Sequence, residues 1–251
     1  MGDNGRMDGS DIWLAGVDGC RAGWVAVFIR PARDDARIRV VTRFADILGA
    51  PERPAVIAVD MPIGLPERSG YGGRPAESAI RPLLGPRQSA VFSVPSRAAL
   101  EQPDYRAACA VALTTSEPPR KISKQLFMIA PKIREVDACL RDDAAAAARV
   151  FEVHPELAFW RLNGERPLTE PKKIKGRPYE PGLTLRRGLL SNTGMPPVLA
   201  LSAPPAGAAA DDLLDALACA AVARRIHAGL AKPFPDPPPL DRYGLRMAIW
   251  A

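Results

Sequence analysis

Five acidic side chains in this 251-residue chain have the types and spacing to hold a cation. The first ends an apolar run, Ile12-Trp13-Leu14-Ala15-Gly16-Val17-Asp18-Gly19, and the second ends another, Ala55-Val56-Ile57-Ala58-Val59-Asp60-Met61-Pro62-Ile63-Gly64. Runs of this kind, rich in β-branched residues, read as strands buried on both faces. After Asp60, Pro62 and Gly64 turn the chain away. Asp60 is therefore predicted at the carboxyl end of a central strand, where open α/β sheets place their ligands. If the two strands lie side by side, Asp18 and Asp60 repel each other unless a cation sits between them. Glu152 ends a third predicted strand, Val150 to Val153. Asp212 and Asp215, three residues apart, share one face of a helix. Asp215 lies past the first turn among apolar neighbours, where an unpaired carboxylate is costly. Hard divalent cations prefer such oxygen ligands, Mg²⁺ above all in company with phosphate. Three or four carboxylates meeting at one point would suit two-metal phosphoryl chemistry, with Mg²⁺ or Mn²⁺ as the cofactor.

The elements that must position these groups can be read in order. Asp18 is followed by a tight Gly19-Cys20-Arg21-Ala22-Gly23 connection and a second strand, Trp24 to Ile29. A turn at Pro31 to Ala36 leads to a third strand, Ile38 to Val41. Short links of this kind make an antiparallel meander. A short helix at Phe44 to Leu48 then lets the Asp60 strand run parallel to the first. Residues 67–145 read as a helical insertion: a helix opening at Pro75 and ended by Gly85-Pro86-Arg87, an extended piece at Ser89 to Pro95, a helix at Tyr105 to Leu113, and a long helix from Ser123 to Leu140 with Pro131 inside it. Residues 161–181 form a basic loop with Lys172, Lys173, Lys175 and Arg177. A helix at Leu183 to Leu190, the Asp-bearing helix within Ala208 to Ala231, an extended Pro233 to Pro239 segment and a returning strand in Tyr243 to Ala251 complete the chain. Next along the face of Asp212 and Asp215 come Ala218, Cys219 and Val222, and small residues allow the helix to press closely on a sheet.

Composition narrows the chemistry further. Hydrophobic residues make up 47% of the chain, enough for a proper core, and no run reaches the length of a membrane span. Met1 to Ser10 is polar and Gly-rich, predicted as a flexible tail rather than a signal peptide, so the expected location is cytoplasmic. Four cysteines, Cys20, Cys109, Cys139 and Cys219, form no CxxC pair and are expected as free thiols rather than zinc ligands. Only two histidines, His154 and His227, are present, and there is no nucleophile elbow. A net charge of +6 is compatible with a polyanionic partner. The cations before and within the long helix, Lys121, Lys124, Lys132 and Arg134, cluster and could contact phosphates as point charges; Lys121 and Lys124, with Lys172 and Lys173 of the basic loop, are the candidates for holding substrate phosphate.

Four stretches together resemble a known family. Gly16-Val17-Asp18-Gly19-Cys20-Arg21-Ala22-Gly23-Trp24, Val59-Asp60-Met61-Pro62-Ile63-Gly64, Lys121-Ile122-Ser123-Lys124-Gln125 and Glu152-Val153-His154-Pro155-Glu156 are similar to the signatures of the domain-of-unknown-function 429 family. Asp212-Leu213-Leu214-Asp215-Ala216-Leu217-Ala218 is similar to the final acidic helix of Holliday-junction resolvases. The resemblance implies one ribonuclease H-like α/β domain over residues 11–251, in which three antiparallel strands are followed by parallel ones and flanked by helices. It implies Asp18, Asp60 and Asp215 as metal ligands, assisted by Asp212 or Glu152, in a nuclease acting on nucleic acid. The chain departs from the family where relatives carry a cysteine- and aspartate-containing stretch; here it reads Gly72-Gly73-Arg74-Pro75-Ala76-Glu77-Ser78.

Two other readings compete. An Asp-Gly after a first strand also occurs in actin-like phosphotransferases, but those need a duplicated domain and this chain has no repeat. A ribonuclease H-like module retained for binding or scaffolding is the non-catalytic alternative; two cations at one carboxylate site would argue against it.

Overall fold

The structure, a computed structural model, describes residues 11–251. The tail expected at residues 1–10 lies outside them. Three strands open the fold: β1 (Leu14–Cys20), β2 (Gly23–Arg30) and β3 (Asp35–Val41). They pair as an antiparallel meander, with Asp18 opposite Val25 and Val25 opposite Val40. Helix α1 (Phe44–Leu48) carries the chain back to β4 (Val56–Val59), which lies parallel to β1. β5 (Val150–Glu152) extends the sheet in parallel beyond β4. The strand order is β3-β2-β1-β4-β5, three antiparallel strands followed by parallel ones, with helices on both faces.

Between β4 and β5 the chain is largely helical, as expected. It contains α2 (Pro75–Ile80), α3 (Arg97–Leu100), α4 (Tyr105–Thr114), α5 (Lys124–Asp142) and α6 (Ala144–Arg149). Gly85 interrupts the helical path that opens at Pro75, as expected. A 3₁₀ stretch, Arg81–Ala90, continues from α2 and kinks at Gly85, whose φ of 47° is open to glycine. That stretch takes in Ser89 and Ala90, so the extended piece is shorter than expected. In α5, Pro131 is tolerated inside the helix.

After β5 come α7 (Pro155–Leu162), a hairpin of β6 (Lys173–Ile174) and β7 (Arg177–Pro178), α8 (Glu180–Ser191), α9 (Pro197–Leu201) and α10 (Ala210–His227). The basic loop is thus folded as a hairpin. Its two-residue turn, Lys175-Gly176, has positive φ at both positions, as right-handed strand twist favours. The C-terminus returns through β8 (Pro233–Phe234), paired with β9 (Ile249–Trp250).

Alternation along the strands sorts two cores. Ala15, Val17, Ile57 and Val59 pack under α1 and α5, with Phe44, Leu126, Ile133 and Val136. Leu14, Val56, Ala58, Val25 and Val27 pack on the other face, against Phe159 of α7 and Leu214, Leu217 and Ala221 of α10. Among the described residues no helix is long and apolar enough to cross a membrane, and the four cysteines are free thiols.

Candidate metal centre

Gly16 brings the acidic helix onto the sheet. A Cβ there would stand 2.1 Å from the Ala220 nitrogen and 2.2 Å from the Ala216 oxygen, so only glycine lets α10 rest on the β1 backbone. That contact sets Asp215, one residue before Ala216, beside the carboxyl end of β1. The register of the parallel pair does the rest. Gly16 lies opposite Ala58 and Val17 opposite Val59, and the Asp60 nitrogen donates to the Val17 oxygen at 2.9 Å. Asp18 and Asp60 therefore follow at matching positions on the α10 side of the sheet. One carboxylate oxygen from each of Asp18, Asp60 and Asp215 lies within 4.8 Å of the others. Among the described residues no other group of three His, Cys, Asp or Glu side chains gathers so closely.

The three carboxyls line a cavity of about 450 Å³. Its lining also includes apolar side chains, among them Val91, Phe92, Val94, Leu126 and Ile129. Burial and mutual repulsion make the carboxyls reluctant acids. Asp60 is pushed up to about 8, first by burial and then by Asp215. Asp215 is pushed up to about 6 by burial, against the pull of Lys172. Asp18 is raised well above the usual carboxylate range by burial, Asp60 and Asp215. Asp18 Oδ1 accepts from the Gly19 nitrogen at 2.7 Å. Asp215 Oδ1 is buried without a hydrogen-bond partner, while Oδ2 accepts from Lys172 Nζ. Burial alone would discharge that ammonium, but Asp215, Asp18 and Asp60 hold it protonated.

The remaining predicted residues separate into those the fold brings to this cavity and those it does not. Lys172 and Lys173 both line it, but they face carboxylates: Lys172 meets Asp215, and Lys173 Nζ lies 2.5 Å from Asp211 Oδ2. Asp212 also lines the cavity but caps its own helix, its Oδ2 accepting from the Ala209 nitrogen at 2.9 Å. Lys121 and Lys124 lie elsewhere. Lys121 borders a second cavity of about 260 Å³, and Lys124 stands 6.0 Å above the Tyr105 ring.

Glu152 also borders the cavity, but its carboxylate is already engaged. Its register partner is Val59, so it points to the opposite face of the sheet from Asp60. Its carboxylate is fully engaged there, by Arg74 at 2.6 and 2.9 Å and by the Ile63 nitrogen at 2.8 Å. Arg74, itself completely buried, also holds Glu77 at 2.5 Å and the carbonyls of Ile63 and Gly64 at 2.6 and 3.0 Å. The Gly72–Ser78 segment thus builds a brace under the Met61–Gly64 turn that follows Asp60.

Further charged residues line the cavity, among them Glu156 and Lys132. Glu156 is buried and held by Arg186 at 2.5 Å, its Oε2 left without a partner. Lys132 extends over the Trp24 ring at 4.6 Å and donates to the Gly23 carbonyl. Glu156 stands in one of the family signature stretches but has no site role in the sequence reading; Lys132 belongs to the cation cluster of the long helix that could contact phosphate.

The family model described as "Protein of unknown function (DUF429)" matches residues 16–240, and the chain belongs to that family. No curated protein and no solved structure matches it.

Proposed function

We propose that this family member is a divalent-metal-dependent phosphodiesterase of ribonuclease H-like fold that hydrolyses nucleic acid. The observation that carries the reading is the convergence of Asp18, Asp60 and Asp215 to within 4.8 Å, all three on rigid elements. The donor set suits a hard divalent cation such as Mg²⁺ or Mn²⁺, and the unpartnered Oδ1 of buried Asp215 offers it a ligand atom. When bound, such an ion activates water for attack on phosphorus and stabilises the leaving oxygen. Electrostatics argues in the same direction. A phosphodiester anion is repelled by the carboxylates of this cavity unless cations stand among them. Lys132, Lys172 and Lys173, on the cavity wall, supply part of that positive charge. The apolar side chains of Val91, Phe92, Leu126 and Ile129 offer a face against which a base can lie.

The test is a calorimetric titration of Mn²⁺ into wild type and Asp60→Asn, followed by cleavage assays on single-stranded, duplex and branched DNA and RNA. Saturable binding that is lost in the variant, together with cleavage abolished by chelator, is the expected result. Metal binding without cleavage of any substrate would remove the nuclease assignment. One observation favours the second reading, a non-catalytic module. Lys172 already neutralises Asp215, so the cluster is partly balanced without metal. If Mn²⁺ does not bind to wild type, that second reading stands.

A further inference from the structure

The carboxylate cluster contains a cation built from the chain itself. Lys172 stands at the foot of the β6–β7 hairpin, and its Nζ donates to Asp215 Oδ2. Its backbone is fixed from both sides. The Pro171 carbonyl presses so closely on α8 that a Cβ at Gly182 would lie 1.9 Å from its oxygen. The Lys172 carbonyl accepts from the Tyr179 nitrogen at 2.9 Å. Next to it, Lys173 is tied to Asp211 at 2.5 Å. The ammonium is therefore held over the acidic centre by its surroundings and is not a surface lysine that happens to reach it.

Charge then limits what else the centre can hold. Once a bound cation has displaced their protons, the three carboxylates facing one ammonium leave two negative charges, which one divalent cation balances. A second divalent ion beside the first would bring two unbalanced positive charges next to a fixed ammonium, in a buried site where such repulsion is poorly screened. Lys172 also covers one of the two Asp215 oxygens, leaving Oδ1 as the open one.

We infer that the centre binds a single divalent cation through Asp18, Asp60 and Asp215 Oδ1, and that Lys172 Nζ occupies the second cationic position, where two-metal sites have their other ion. This rests on the metal-dependent reading above and replaces its two-metal form. On this assignment Lys172 offers the substrate phosphate a fixed positive charge while the one metal ion serves the attacking water.

The stoichiometry of Mn²⁺ tests it, by calorimetry together with electron paramagnetic resonance, which distinguishes an isolated ion from a spin-coupled pair. Wild type should bind one uncoupled Mn²⁺ per chain. Lys172→Met, which keeps the length and removes the charge, should bind two, with a coupled spectrum. In chelator, Lys172→Met should also melt below wild type, and saturating Mn²⁺ should raise its Tm by more. Lys172→Arg should retain one ion. Two coupled ions in wild type would overturn the single-metal assignment and leave the metal-dependent reading intact. So would one ion of unchanged affinity in Lys172→Met. No Mn²⁺ bound by any of these proteins would overturn the metal-dependent reading itself, and the assignment with it. The wild-type count needs no variant to fold.

Discussion

Two groups of buried charge flank the turn after β4, and they are balanced differently. On one face of the sheet Arg74 meets Glu77 and Glu152, and the oxygens of both carboxylates accept hydrogen bonds from Arg74 or from backbone nitrogens. On the other face Asp18, Asp60 and Asp215 share one ammonium, and Asp215 Oδ1 accepts nothing. Both groups are largely buried and both are acidic. The difference lies in satisfaction. A network in which each oxygen has a donor is complete and serves the fold. A cluster with too little positive charge and an idle ligand atom has room for something from outside.

The largest effect should come from breaking the complete network. Arg74→Met leaves two carboxylates buried without their cation and should cost about 3–5 kcal/mol of stability by urea denaturation. The triple variant Arg74→Met, Glu77→Gln, Glu152→Gln should recover much of that loss, because the unpaired charges go with the arginine. A loss below 1 kcal/mol in the single variant would mean that the two faces do not differ as described.

A second effect separates the faces by pH. Asp60 and Asp215, pushed up to about 8 and about 6, keep protons in the folded protein that the unfolded chain has already released. Stability therefore falls as pH rises through this window, the reverse of an ordinary paired carboxylate. In chelator, wild type should lose on the order of 2 kcal/mol between pH 5 and pH 8, and Asp60→Asn should lose less. Denaturation at three pH values would check this; stability that climbs from pH 5 to pH 8 would contradict it.

The smallest effect is expected far from both groups. Lys121→Ala and Lys124→Ala should leave stability and Mn²⁺ affinity within about 0.5 kcal/mol of wild type, as surface substitutions do. If they weaken nucleic-acid binding, the weakening should be similar for all sequences and should reduce the salt dependence.

Much of this arrangement was legible in the sequence. Apolar runs ended by aspartate marked β1 and β4, short links marked the meander, and alanines around Asp215 marked a helix that could approach a sheet. Those signals are local, carried by composition and period. What was not legible depends on which distant residues meet. Glu152 lies 78 residues from Arg74, and its side of the sheet follows from a β4–β5 register that neither strand encodes alone. Lys172 lies 43 residues from Asp215, and its basic surroundings read equally well as a solvated loop. Gly85 carries the standard mark of a helix end and breaks the helical path there, but the further 3₁₀ turn that follows it, up to Ala90, carries no such mark.

The seat of α10 on Gly16 has a consequence for how this centre can change by mutation. Successive residues of a helix are turned by about 100°. One residue inserted between Asp215 and Ala216 would leave Ala216 and Ala220 in place and swing the aspartate off the sheet side. Asp18 and Asp60 are tied together in the same way, through main-chain hydrogen bonds between adjacent strands. No gradual drift in loop length reaches any of the three. The centre is inherited whole or lost in a single step, while the hairpin that carries Lys172 can be remodelled independently of it.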